Sequence, residues 1–161
     1  MSISFEENIQ YWADIAAKAR GGAAAAATSM AKYIAWRTAR DTLERSSHGS
    51  GAWHRTRPGE PPARSTGKLA KGMYYKAAYG DGPRATAWVG NRVDYSRILE
   101  YGCVIEPANF EFLHWRDSGG SWFHQFLESP PHPFLEPTVD ESIDDGSLQD
   151  AAIEGFRPYD P

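Results

Sequence analysis

An α+β fold is predicted by three features of the chain: a helical pattern filling the first third, two β-hairpin patterns after it, and a last helical pattern beyond a proline-rich run. With 161 residues and 41% apolar composition, the chain has the size of one domain and can bury a core without disulfide staples. The expected layout is a single domain over 1–161. Its parts are a helical segment 1–46, a long loop 47–66, an antiparallel sheet of two hairpins with a short helix over 67–139, and an acidic C-terminal helix and tail over 140–161.

The helical segment rests on spacing. Phe5, Ile9, Trp12, Ile15 and Ala19 recur at steps of three and four, which places them on one helix face. Ser4 and Glu7 have capping-box spacing. Gly21-Gly22 is expected to end or bend this helix, and an alanine-rich stretch from Ala23 to about Ser46 continues the stripe through Met30, Tyr33, Ile34, Arg37 and Leu43. The first third is therefore one long helix or a helical pair. Residues 46–66 carry no periodicity and are dense in Ser, Gly and Pro. Trp53, Arg55, Arg57 and Arg64 lie in that loop, a basic set around an aromatic that suits either nucleic-acid phosphates and bases or a neighbouring protein on which the loop becomes ordered.

The next elements follow from alternation and turn chemistry. Met73–Tyr79 and Arg84–Gly90 flank Gly80-Asp81-Gly82-Pro83 and predict one hairpin. A short helix follows, with Asp94 as its expected N-cap and Gly102 as its stop. Asn109–Arg116 and Ser121–Glu128 flank Asp117-Ser118-Gly119-Gly120 and predict a second hairpin. Centring its turn on Gly119 pairs Phe112 with Phe126, His114 with His124 and Trp115 with Phe123, so both faces carry aromatics and neither can be left bare. Pro130 to Pro137 is expected to be stiff and extended. A last helix through Val139, Ile143, Leu148 and Ile153 is interrupted at Asp144-Asp145-Gly146, and the tail from Phe156 is expected to fray.

Charge is divided between the halves. Residues 1–100 hold 15 Lys and Arg against 9 Asp and Glu, whereas residues 101–161 hold 2 against 12. If these halves occupy different faces, the molecule is disposed to stack head to tail. The single cysteine, Cys103, excludes an internal disulfide framework and fits an inert thiol. No run is apolar and long enough for a membrane span, and the acidic start Met1 to Glu7 is unlike a signal peptide. No phosphate-binding glycine motif is present, and the cofactor expectation is none. His114, His124 and His132, with Glu128, are the one set that could hold zinc for a small metal-dependent hydrolase. Their sequence spacing matches no metal motif, and the expectation is no metal and no enzymatic activity.

The order of motifs carries more than any one of them. Thr66-Gly67-Lys68-Leu69, Trp88-Val89-Gly90, Asp94-Tyr95-Ser96-Arg97-Ile98-Leu99-Glu100-Tyr101-Gly102, the aromatic hairpin, and His132-Pro133-Phe134-Leu135-Glu136-Pro137 follow one another across about 60–145. This order resembles the neck protein family of long-tailed bacteriophages, variously called minor tail, tail-completion, head-tail joining or tail-terminator proteins. Ser96, Cys103 and Thr138 depart from the family's usual alanine, threonine and alanine, and each keeps a small side chain.

The resemblance implies a non-enzymatic subunit of a homo-oligomeric ring, commonly six-fold, in the virion neck, assembled in the host cytoplasm. Its partners would be the adjoining neck proteins and the tail tube protein, with DNA passing through the ring without sequence-specific binding. Such a ring needs two different patches that meet. One expected patch is the short helix, with Tyr95 and Tyr101 as anchors, Leu99 beside them and Glu100 as a charged partner. The other is the segment Pro133, Phe134, Leu135 and Pro137, or the hairpin with Trp115, Trp122 and Phe123. The alternative is that Tyr95, Leu99, Phe134 and Leu135 fill the subunit's own core.

Overall fold

The computed structural model describes residues 5–44, 58–62, 67–79, 84–108, 111–117 and 119–159. It is the α+β arrangement that the sequence predicts, organised around one long helix, α1 (Phe5–Glu44). At 1.5 Å rise per residue, α1 is about 60 Å long. Ala31, Ile34, Ala35, Thr38 and Thr42 are its buried stripe, at the three-and-four spacing of a helix that packs along one side.

Gly21-Gly22 does not break α1. These glycines are sites of close approach. A Cβ at Gly21 would stand 2.7 Å from the Tyr159 ring, and one at Gly22 would overlap the ring of Phe156. The rings belong to α5 (Ser147–Phe156) and the 3-10 turn Arg157–Tyr159, so the tail is folded back on α1 and is not frayed. On the α5 side, Gly155 makes the matching approach to Ala26 and Ser29. Gly22→Leu is expected to push α5 off α1 and destabilise the fold by about 1–3 kcal/mol. Chemical denaturation measures it, and an unchanged midpoint would show that the two helices are not in contact there.

The other flank of α1 carries α2 (Lys68–Lys71) and a hairpin of β1 (Met73–Tyr79) and β2 (Thr86–Asn91). The Ala78 N–H donates to Thr28 Oγ1 at 2.8 Å and ties β1 to α1. Next come α3 (Ser96–Tyr101), β3 (Cys103–Ile105), β4 (Leu113–Asp117), β5 (Gly120–His124) and β6 (Leu127–Ser129). Among the described residues the strands form three separate antiparallel pairs, β1–β2, β3–β6 and β4–β5, so the two predicted hairpins do not merge into one sheet. The β4–β5 register also differs by one from the predicted pairing. It matches Leu113 with His124, His114 with Phe123 and Trp115 with Trp122. The ladder ends with Asp117 opposite Gly120, which takes φ +134°.

The acidic C-terminal helix is two helices, α4 (Glu136–Asp144) and α5, parted where Gly146 takes the left-handed conformation. Arg37 of α1 fixes this junction. Its Nη1 donates to Asp145 Oδ2 at 2.7 Å and to Ser142 Oγ and Ser147 Oγ at 3.0 Å, while Glu141 lies 3.5 Å from Nη2. The Ser147 hydroxyl and N–H, then the Arg37 guanidinium, hold the Asp145 carboxyl down at about 2, against an ordinary value of 3.8. The folded form therefore keeps a charge that the unfolded chain loses first. This stabilisation is complete above the unfolded value and fades as pH falls through the folded one. Thermal melts of wild type and Asp145→Asn should diverge progressively less from about pH 5 to about pH 2. Parallel curves throughout would contradict the contact.

Candidate functional site

The short helix α3 and the proline-rich run, 30 residues further on, lock together. Gly102 ends α3 with φ +69°, where a Cβ would stand 2.7 Å from the Ser129 carbonyl oxygen and 3.0 Å from Pro131 N, so this close turn requires glycine. The chain then enters β3, which pairs with β6 from Cys103 opposite Ser129 to Ile105 opposite Leu127. The His132 N–H donates to the Leu99 carbonyl at 2.6 Å and extends the lock.

Glu100 is its centre. The side chain is buried, and its carboxylate accepts three backbone N–H groups: Phe134 at 3.0 Å, Leu135 at 3.2 Å and Glu136 at 2.8 Å. These are donors that the first turn of a helix leaves without intrahelical partners. Pro137 occupies the first turn of α4, and Leu135, its N-cap, offers no side-chain hydrogen bond. The cap is therefore supplied from α3, and a carboxylate is well suited to the positive end of a helix. Phe134 is only 4% exposed, and its carbonyl accepts the Thr138 hydroxyl at 2.9 Å.

This placement corrects two of the expected contact residues. Glu100 is no outward charged partner, because its oxygens are engaged by the chain's own backbone. Phe134 is core. Leu99, Pro133, Leu135 and Pro137 are half-buried in the same lock. Asp94 does not cap α3: the N-cap is Tyr95, with no side-chain cap, because the Ser96 N–H bonds the Val93 carbonyl and the turn itself starts the helix.

The outside of the lock carries large apolar side chains among charged ones, Arg97 and Glu128 included. Tyr101 is 72% exposed and Val104 57%, with Tyr95, Ile98, Ile105 and Leu127 also at the surface. The β4–β5 hairpin adds Trp122 and Phe123, the latter 63% exposed and stacked on His114 with ring centres 4.5 Å apart. Trp115 stands opposite Trp122 in the ladder. By contrast, the buried apolar residues among those described are Ala31, Ile34, Ala35, Leu69, Ala70 and Phe134, half of them alanines. Among the described residues, far more large apolar side chains are exposed than are fully buried, more than a self-sufficient domain leaves at its surface.

The other expected sites are not assembled. Trp53, Arg55, Arg57 and Arg64 lie outside the described residues. His132 Nδ1 lies 2.9 Å from the Glu60 carbonyl oxygen and His114 stacks on Phe123. No group of three His, Cys, Asp or Glu among the described residues is placed to hold a metal ion. Sequence reasoning missed the capping role of Glu100, the Arg37 junction and the exposed aromatics Trp36, Tyr79 and Trp88 on α1, β1 and β2. A helix beginning at Glu136-Pro137 without a capping side chain just before it was the available signal for the first.

No protein-family model, no curated protein and no solved structure matches this chain.

Proposed function

We propose that this chain is a non-enzymatic ring subunit of the neck of a long-tailed bacteriophage. It would join the head to the tail tube or cap the tube's head-proximal end, with DNA passing through the ring. The observation that carries this reading is the exposure of the large apolar side chains Tyr101, Val104, Trp122 and Phe123, together called the belt. Surface of that kind is completed by contact with other chains. The motif order supports the same reading, since two of its landmarks, 94–102 and 132–137, meet through Glu100.

The test is a surface double variant, Tyr101→Ser with Phe123→Ser, in phage production. Circular dichroism should show a melt close to that of wild type, because both side chains are exposed. Filled heads and finished tails should accumulate unjoined, and joined particles should fall at least about tenfold. Normal yields of joined particles from the double variant would contradict the proposal.

A further inference from the structure

We propose that the groove between α1 and β1 seats the acidic helix α4 of a second copy of this chain; the inference rests on the ring reading and names one contact between neighbouring subunits, beside the belt. The groove is open, about 420 Å³ in volume, and is lined by Lys32, Ala35, Trp36, Tyr74, Tyr75 and Arg92. Trp36 is 55% exposed and Tyr75 41%, giving an apolar floor. Cations stand over its aromatic faces: the Arg40 guanidinium is 4.8 Å from the Trp36 ring centre, and that of Arg92 is 5.4 Å from the Tyr74 ring centre. Lys32 is exposed at the same groove. The combination of aromatic floor and cationic rim fits an apolar side chain flanked by carboxylates.

The chain carries that complement on α4. Thr138 and Ser142 are fully buried, which turns Asp140, Ile143 and Asp144 outward, and Ile143 is 59% exposed. Asp140 is three residues from Ile143 and four from Asp144, so one aliphatic side chain and two acids share this outward surface of the helix. The division of charge extends the match, since the groove belongs to the half with 15 cations against 9 acids and α4 to the half with 2 against 12.

A subunit cannot fill its own groove. Arg37 pins α4 to α1 through Ser142 and Asp145. Lys32, Trp36 and Arg40, four residues apart, form a separate stripe, since successive residues turn by about 100° around a helix. One patch therefore meets a different patch on the next copy, the head-to-tail geometry that generates rings. Electrostatic complementarity favours this occupant over DNA, because the chain itself presents the acids.

The experiment mixes equal amounts of isotope-light and isotope-heavy full-length chain at low salt. A zero-length carbodiimide then couples touching amines and carboxylates, and the peptides are identified by mass spectrometry. Isotopically mixed peptides joining Lys32 to Asp140 or Asp144 are expected. Lys32→Glu with Arg92→Glu should weaken self-association about tenfold or more, as should Asp140→Lys with Asp144→Lys. All four changes in one chain should bring it back to within about threefold of wild type. Absence of the mixed Lys32 peptides, coupling only at other sites, or no recovery in the fourfold variant would overturn the proposal. So would saturation of the groove by a DNA oligonucleotide that the Lys32 and Arg92 changes abolish while self-association persists. The two readings fail separately. Mixed peptides and charge recovery in a chain absent from phage particles would leave the contact standing without the neck, whereas a neck ring lacking them would remove only this contact.

Discussion

Glu100→Ala should destabilise the protein by about 3–4 kcal/mol, because it strands three N–H groups at the start of α4 with no replacement acceptor in the lock. Glu100→Gln keeps one acceptor oxygen at the same reach and should lose about half as much. The defect should begin locally. Hydrogen exchange at Phe134, Leu135 and Glu136 should accelerate before the rest of the fold responds, since a cap holds the terminus it serves. Urea titration gives the global figure and exchange the local one. A loss below about 1 kcal/mol for the alanine variant would mean that water replaces the carboxylate freely, and the lock would not be a determinant of the fold.

Phe134→Ala should cost about 3–5 kcal/mol, the range for emptying a buried aromatic site. Phe134→Leu, which refills much of the volume, should be far milder. This separates the two roles open to the residue from sequence alone. An exposed anchor truncated to alanine would melt like wild type and fail only in assembly, the behaviour expected of Tyr101→Ser with Phe123→Ser. Unfolding of the Phe134 variant at a temperature where the surface variant remains folded would confirm the division between lock and belt; the reverse order would refute it.

The pattern of periodicities made the main elements legible. Helix α1 as an element, both hairpins, α3 with its stop at Gly102, and the break before Gly146 follow from spacing and turn chemistry local to each segment. The stripe expected on α1 is not the face it buries: Ile34 is shared, Trp12 and Leu43 are exposed, and the small residues Ala31, Ala35, Thr38 and Thr42 are buried in their place. What escaped was set by partners distant in sequence. Gly21-Gly22 has the composition of a helix end, but the long helix continues because those glycines make room for Tyr159 and Phe156 from the tail. The β4–β5 register turned on one residue of loop length, which composition alone does not decide. Glu100 looked like a surface charge on a short helix. Its donors lie some 35 residues away, and only the helix start at Pro137, lacking a local cap, hinted at them. For the candidate interface, the aromatic content of α3 and the second hairpin was visible early, whereas the split between buried Phe134 and exposed Tyr101 depends on how 94–102 and 132–137 dock.

The central claim is that the exposed aromatic belt is closed by further copies of this chain around a central passage. Imaging of intact joined particles carrying this chain with a bound label tests it most directly. The account predicts label at the head-tail junction, in several equivalent positions around the tail axis, with the belt residues at subunit boundaries. Label in a single position, or particles that join and eject DNA without the chain, would contradict it.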